Sequence, residues 1–486
     1  LWHVDGGLDV AALREALDLV ARRQAVMRTR FVSVGGEPCQ QVDDEPSLEL
    51  EIVDLEGRPD RLADEVRERV ARPFELDRKA PLRFALFRLG PGRHALLRVW
   101  HHIVADGLSS SILQRDLNEA YAAVRSRRAP RWAPLAVDYA DYATWLAAEL
   151  EGAALDAPLA EWKRILAGVP TLALPADRVR PPSQSFRGDV VTRPLPPDLG
   201  EALKALARER GATPFVAFLA AFQVLMSRLA GDEDFALGTP VAGRPFPELA
   251  PLVGFFANTV AVRADLSGSP AYDEVLDRAR KRVADALRGQ QVPFERIVDA
   301  LGVARDPSRN PLFQVAFAMR EHGTHELALE GTAVRRDPER RGRAKFDLTT
   351  SVLEGPEGTF VHWEYCTDLF ERATVERMAR QFEALIASIV ESPSRPVGSL
   401  ALMDDVTRDR VVAWGHETAR PYPDETTIHR RQAAIAARRG DAPAVGGLTH
   451  ASLASPQTSM PLPVCPALQE LVSLLLPKTI SALPSL

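Results

Sequence analysis

His101-His102-Ile103-Val104-Ala105-Asp106-Gly107 brings two imidazoles, a carboxylate and a glycine together at the end of an apolar run. The run reads as a buried strand from His94 to Ile103. Successive side chains of a strand face opposite ways. Only one of the two histidines is then expected to face a reaction channel, while the other packs behind it. We expect His102 to be the reacting group and His101 the packed one. An aspartate four residues on, followed by a glycine at a bend, completes a unit of base, charge anchor and turn. Such a unit holds one imidazole in place for acyl transfer. There a nucleophile loses a proton while a carbonyl oxygen gains negative charge. A histidine side chain ordinarily titrates near neutral pH and suits either the proton removal or the charge stabilisation.

The neighbouring residues each admit a structural and a chemical role. Asp106 could act as a general acid, but a structural carboxylate paired with an arginine is the favoured reading, because a buried carboxylate needs a partner. Arg23, Arg28 and Arg244 are the candidate partners. Gly107 lets backbone approach a substrate or tightens the turn. Asn258 either hydrogen-bonds near the channel or caps a turn. Tyr142 and Trp145 are expected in the core.

The elements that must position this unit are legible in part. Residues 8–31 read as a helix, with Leu8, Leu13, Ala16, Leu17, Val20 and Ala21 at helical spacing, followed by a strand. Residues 109–125 carry an apolar stripe behind a serine cluster suited to a helix N-terminus. The expected setting of the histidines is therefore strand, turn, helix. Helices are also expected over 198–210 and 214–230. The Pro-bearing stretch at 170–186 reads as a connector between two lobes, and 391–424 as a linker. From about 447 the chain turns Pro-, Ser- and Leu-rich with few charges, and is expected to be poorly ordered. The expected divisions are 1–170, 171–415, 416–446 and 447–486.

Composition narrows the function classes. The 486 residues are 46% hydrophobic and 26% charged, as in a globular chain with a sizeable core. A formal charge of −6 gives no basic surface for nucleic acid. Cys39, Cys366 and Cys465 lie too far apart for a disulfide framework or zinc spacing, so a cytoplasmic setting is expected. No apolar run reaches the roughly 18–20 residues of a membrane span. His322 and His325 make half a metal site, but the polar stretch around them offers no further ligands, and no metal is expected. GxSxG, P-loop and CxxC units are absent. The chain opens inside a strand-like run, Leu1-Trp2-His3-Val4, and reads as part of something longer.

The histidine stretch resembles the HHxxxDG motif of nonribosomal peptide synthetase condensation domains, and other stretches follow in the family's order. Arg23-Gln24-Ala25-Val26-Met27-Arg28-Thr29-Arg30-Phe31 is similar to RHExLRTxF, with Gln24 and Ala25 in place of His-Glu. Tyr139-Ala140-Asp141-Tyr142-Ala143-Thr144-Trp145 resembles YxDYAxW. Val253-Gly254-Phe255-Phe256-Ala257-Asn258-Thr259 resembles GFFxNT. Gln290-Gln291-Val292-Pro293-Phe294-Glu295 is similar to HQDxPFE, with Gly289 and Gln291 at the His and Asp positions. Arg305-Asp306-Pro307-Ser308-Arg309-Asn310-Pro311-Leu312-Phe313-Gln314-Val315 resembles RDxSRNPLFQV. Beyond 425, Ile428-His429, Asp441-Ala442-Pro443-Ala444-Val445 and Leu448-Thr449-His450 resemble the start of an adenylation domain, after which the likeness stops.

The resemblance implies an α/β (α+β) fold of two chloramphenicol-acetyltransferase-like lobes set in a V around a tunnel. It implies attack of a carrier-bound acceptor amine on a carrier-bound donor thioester, giving an amide. His102, Asp106 and Gly107 would be the catalytic unit, with His101, Arg23, Arg28, Arg244 and Asn258 supporting it. No cofactor is expected on this chain, because the substrates ride on the 4′-phosphopantetheine of upstream and downstream peptidyl carrier proteins. An adjacent adenylation domain is the further expected partner; nucleic acid and membrane are not. The RDxSRNPLFQV and GFFxNT forms resemble the subtype joining two L-residues, and the first also speaks against an epimerisation domain. Two alternatives stay open: an inactive, docking or gate remnant of such a module, and an HHxxxDG acyltransferase using free coenzyme A thioesters.

Overall fold

The computed structural model describes residues 1–321, 326–337, 342–417, 428–439, 441, 443–445 and 448–449. The chain forms two units, Leu1–Asp405 and Val406–Leu486. His322 and His325, and the tail beyond Thr449, lie outside the described residues.

The first unit opens with β1 (Trp2–Gly6), α1 (Val10–Arg23), β2 (Thr29–Val34), β3 (Glu37–Val42), β4 (Leu50–Asp54) and α2 (Leu62–Ala71). It continues through β5 (Leu82–Gly90), β6 (Arg93–Trp100), α3 (Gly107–Arg125), α4 (Tyr139–Glu149) and α5 (Ala153–Leu166). Next come β7 (Gly188–Pro194), α6 (Pro197–Glu209), α7 (Pro214–Ala230), β8 (Asp234–Val241) and β9 (Asn258–Asp265). After α8 (Tyr272–Arg288), α9 (Phe294–Leu301) and β10 (Val315–Glu321), the order is β11 (Thr332–Arg336), β12 (Leu348–Gly355), β13 (Gly358–Cys366) and α10 (Arg372–Glu391). The second unit is described as α11 (Asp405–Glu417), which starts on the last residue of the first unit, α12 (Ile428–Arg439), and a small antiparallel pair, β14 (Pro443–Val445) and β15 (Leu448–Thr449).

Two mixed sheets covered by helices make the α/β architecture. One runs β11-β1-β6-β5-β4, the other β7-β13-β12-β10-β8-β9. α1 and α3 lie on one face of the first sheet, where Leu13, Leu17 and Val20 meet Leu113, Leu117 and Phe84. α1 forms because its apolar residues recur every three to four positions and Asp9 caps it, accepting Ala12 N–H at 2.9 Å. In the second lobe α7 is apolar on every side and buried from Val216 to Met226. Thr213 caps its start with Pro214 at the first position, and Gly231, at φ +81°, ends it. No single helix among the described residues is long and apolar enough to cross a membrane.

Three expectations about organisation change. The chain does not divide at residue 170, because Trp162, Ile165 and Leu166 of α5 are buried in the second core. β11, far along the chain, returns to the first sheet and pairs with β1, Val334 opposite Val4. The stretch after 391 is no free linker at its start: Val397 and Leu400 are buried, Arg228 donates to both of their carbonyls, and Asp405–Glu417 is helical.

Candidate active site

β6 stops at Trp100, short of the histidines. His101 N–H still donates to the Pro81 carbonyl at 2.9 Å, and residues 102–104 then close a single 3₁₀ turn. The two imidazoles therefore do not alternate across a strand as expected, and both are solvent-exposed. His101 Nδ1 accepts Ile103 N–H at 3.1 Å and its ring meets Phe74 edge-on at 6.0 Å. This is a local, structural engagement. His102 has no side-chain hydrogen bond among the described residues; its contact is the Phe255 ring, centroids 4.8 Å apart and planes at 68°.

Asp106, rather than the serine cluster, caps α3. Its Oδ1 accepts the Ser109 N–H at 2.8 Å, while Ser109 Oγ accepts Asp106 N–H at 3.2 Å, a reciprocal capping box. The carboxylate also accepts the Phe256 N–H at 3.2 Å and pairs with Arg244 Nη2 at 3.3 Å. The two charged side chains are 2% and 5% exposed. Arg244 also donates to the Leu249 and Leu252 carbonyls and lies over the Phe256 ring at 3.9 Å. Burial lowers the tendency of its guanidinium to hold charge, and Asp106 opposes that.

Arg244 is thus the partner of Asp106; the other two candidate arginines are engaged elsewhere. Arg23 pairs with Asp116 at 3.0 Å and lies over Trp132. Arg28 donates to the backbone carbonyls of Ala21 and Asp43. The Asn258 amide donates to the Gln290 and Val292 carbonyls and ties that loop to β9. Tyr142 is buried beside Leu252 and Phe256, with Trp145 packed against the same cluster. Gly107 has no positive φ, and a Cβ placed there would meet nothing within 4 Å. Packing within the chain does not require glycine at this position.

One contact was invisible to spacing. Residues 253–256 of the second lobe are fastened to the start of α3. Gly254 N–H donates to Ser109 Oγ at 3.1 Å, and the single Ser109 hydroxyl proton has the Gly254 carbonyl and Asp106 Oδ1 both at 2.8 Å. A Cβ on Gly254 would collide with the Tyr139 ring, so only glycine lets the segment approach so closely.

A family model described as Condensation domain matches residues 1–412. The chain belongs to the condensation-domain family. Condensation domains of nonribosomal peptide synthetases catalyse amide-bond formation, an acyl transfer. A linear gramicidin synthase polypeptide of Brevibacillus parabrevis is 38% identical over 465 residues, which is 93% of this chain and 6% of that protein. Phosphinothricin tripeptide synthetase PhsB of Streptomyces viridochromogenes is 36% identical over 90% of this chain and 38% of its own length. The condensation domain thus spans well under two thirds of both relatives. Among solved structures, the X-domain from teicoplanin biosynthesis, in complex with OxyB, aligns at TM-score 0.75 with 31% identity, covering 83% of this chain and 90% of that one. The first condensation domain of the calcium-dependent antibiotic synthetase, in complex with a substrate analogue, shares the fold at TM-score 0.66 and 23% identity, over 83% and 93% of the two chains.

Two departures from the family pattern have local compensation in this condensation domain. Gln24 is 1% exposed. Its amide nitrogen donates to Asp116 at 2.9 Å and to the Pro251 carbonyl at 3.0 Å, while its oxygen accepts Val253 N–H at 2.9 Å. The substituted residue therefore spans both lobes with its polar atoms satisfied. Gly289 sits against Trp162, whose indole N–H donates to the Gly289 carbonyl at 3.1 Å, and a side chain there would strike the indole.

Proposed function

We propose that this condensation domain joins two carrier-bound residues through His102. The acceptor amine attacks the donor thioester carbonyl, and the thiol of the donor carrier's 4′-phosphopantetheine leaves as the amide forms. His102 takes the amine proton or donates a hydrogen bond during attack. Asp106, bound by Arg244 and the start of α3, holds the turn rather than reacting. Gly107 leaves space for the substrate. The observation that carries this reading is His102 itself: exposed, with no side-chain hydrogen bond among the described residues, on a turn anchored by a buried ion pair.

The finer assignments follow the sequence motifs. The forms at 253–259 and 305–315 support joining of two L-residues. The partners are an upstream and a downstream peptidyl carrier protein, with an adenylation domain whose first residues resemble 428–450, in a cytoplasmic assembly. Of the boundaries, we propose that α5 packs with the second lobe, that 416–446 leads toward that adenylation domain and that 447–486 is an atypical tail.

An intact-mass assay with two loaded carriers tests the proposal. Wild type and His102→Ala are run in parallel, with free coenzyme A thioesters as a control. Dipeptidyl product on the acceptor carrier, lost in the variant, is expected. Absence of product from folded wild-type protein across several donors would favour a docking role, and turnover of coenzyme A thioesters alone would favour a small-molecule acyltransferase.

A further inference from the structure

Phe255 is held in a way that its own burial does not call for. Its side chain is 42% exposed, among the large apolar side chains left open. Leaving an aromatic ring in water forgoes the main stabilisation such a residue offers. Yet the backbone around it is fixed at three successive residues. Ser109 takes the Gly254 N–H, Asp106 takes the Phe256 N–H, and the Tyr139 hydroxyl donates to the Phe255 carbonyl at 2.9 Å. Burial pushes the Tyr139 hydroxyl up to about 12, so it remains a donor throughout the neutral range. Three polar anchors thus aim one exposed ring, and among the described residues that ring's aromatic contact is His102.

The other half of the observation is what His102 lacks. A reacting histidine is ordinarily oriented by a hydrogen bond from its second ring nitrogen to a carboxylate or carbonyl. No such bond reaches His102 from the described residues, and Asp106, the nearest carboxylate in sequence, is committed to α3, Phe256 and Arg244. An imidazole without that bond rotates about its terminal torsion, which is broad in itself. A phenyl ring packed at 68° restricts the rotation and offers neither nitrogen a conventional hydrogen-bond partner.

We infer that Phe255 is the positioning residue for His102: its edge-to-face contact takes the place of the orienting hydrogen bond and leaves both imidazole nitrogens available to the substrates. Because Asp106 and Ser109 hold residues 254 and 256, the same buried cluster that caps α3 also sets this contact from the second lobe. The inference rests on the reading of His102 as the reacting histidine.

The test measures kcat, and KM for the acceptor carrier, with loaded carriers and the full chain. The variants are Phe255→Leu, Phe255→Tyr, His102→Ala and His102→Ala/Phe255→Leu. Phe255→Leu keeps apolar bulk but loses the aromatic edge, and is expected to lower kcat on the order of tenfold with KM changed less than about twofold. Phe255→Tyr is expected to keep the rate within about twofold, since the ring is retained. The double variant is expected to be no slower than His102→Ala alone. The melting temperature of Phe255→Leu should match wild type, because the side chain is exposed. Equal losses in the Leu and Tyr variants, or a change confined to KM, would overturn the inference in favour of a substrate contact. An inactive His102→Ala beside a fully active Phe255→Leu would overturn this inference alone. A wild-type rate in His102→Ala would overturn the role of His102 and this inference with it.

Discussion

Asp106→Ala separates a carboxylate that holds the site from one that reacts. In the structure Asp106 accepts from Ser109, Phe256 and Arg244. Removing one partner of a buried ion pair costs about 3–5 kcal/mol, and losing an N-cap adds about 1 kcal/mol. Arg244 would keep two carbonyls and the Phe256 ring, which places the total at the lower end, about 4 kcal/mol. Unfolding entropy near 2.1 cal/mol/K per residue over the unit Leu1–Asp405 gives roughly 0.85 kcal/mol/K, so the melting temperature should fall by about 4–5 °C. Asp106→Asn keeps an acceptor for Ser109 and should lose about half as much. In Asp106→Ala/Arg244→Met neither charge is left buried alone, so the double loss should be smaller than the sum of the single ones. Differential scanning calorimetry reads all four values, and the carrier assay reads activity in the same preparations. If Asp106→Ala melts with wild type and yet has lost all turnover, the structural reading is refuted and the carboxyl acts on the substrate.

Two further substitutions probe the site from opposite directions. Gly107→Ala puts a methyl group into open space at an unstrained backbone position, so the melting temperature should hold or rise slightly, by up to about 1 kcal/mol of stability. The condensation rate should fall at least about tenfold if that space admits substrate; an unchanged rate would remove Gly107 from the site. Gln24→Ala deletes three hydrogen bonds, two that span the lobes and one to the charged Asp116, and should cost about 2–3 kcal/mol in a denaturant titration. Gln24→His, the family's residue, should recover part of that loss; a fully stable Gln24→Ala would show that the bridge contributes nothing.

How much the sequence disclosed depends on the range of the interaction concerned. α1 and α7 are legible because cap, apolar spacing and terminator all lie within the element: Asp9 before Val10, Thr213-Pro214 at the start of α7, Gly231 at its end. The end of β6 is not legible, because Ile103, Val104 and Ala105 continue the apolar pattern after pairing has stopped. What ends the strand is the demand of α3 for a cap. Asp106 must sit in extended backbone with its carboxylate on Ser109, and the intervening residues turn to deliver it there. A period of two was therefore the wrong ruler for His101 and His102. The structure engages His101 with its own turn and, among the described residues, sets the Phe255 ring against His102.

The partner of Asp106 shows the same limit more sharply. Burial logic demanded an arginine, and three were equally good on paper. The choice among them is made by competition within the fold. Asp116, one helical stretch along from the motif, captures Arg23, and backbone carbonyls capture Arg28. Arg244 remains, 138 residues from Asp106, and it arrives on the lobe that also supplies Gly254, Phe255 and Phe256. A motif lying wholly in the first lobe thus depends for its charge balance and for the orientation of its histidine on the second. That dependence has a physical consequence. Any movement that separates residues 253–256 from the start of α3 would break the bonds of Gly254 to Ser109 and of Phe256 to Asp106 and release the ring beside His102. On the proposed role of His102, substitutions in either lobe that loosen this seam should lower turnover before they lower the content of secondary structure.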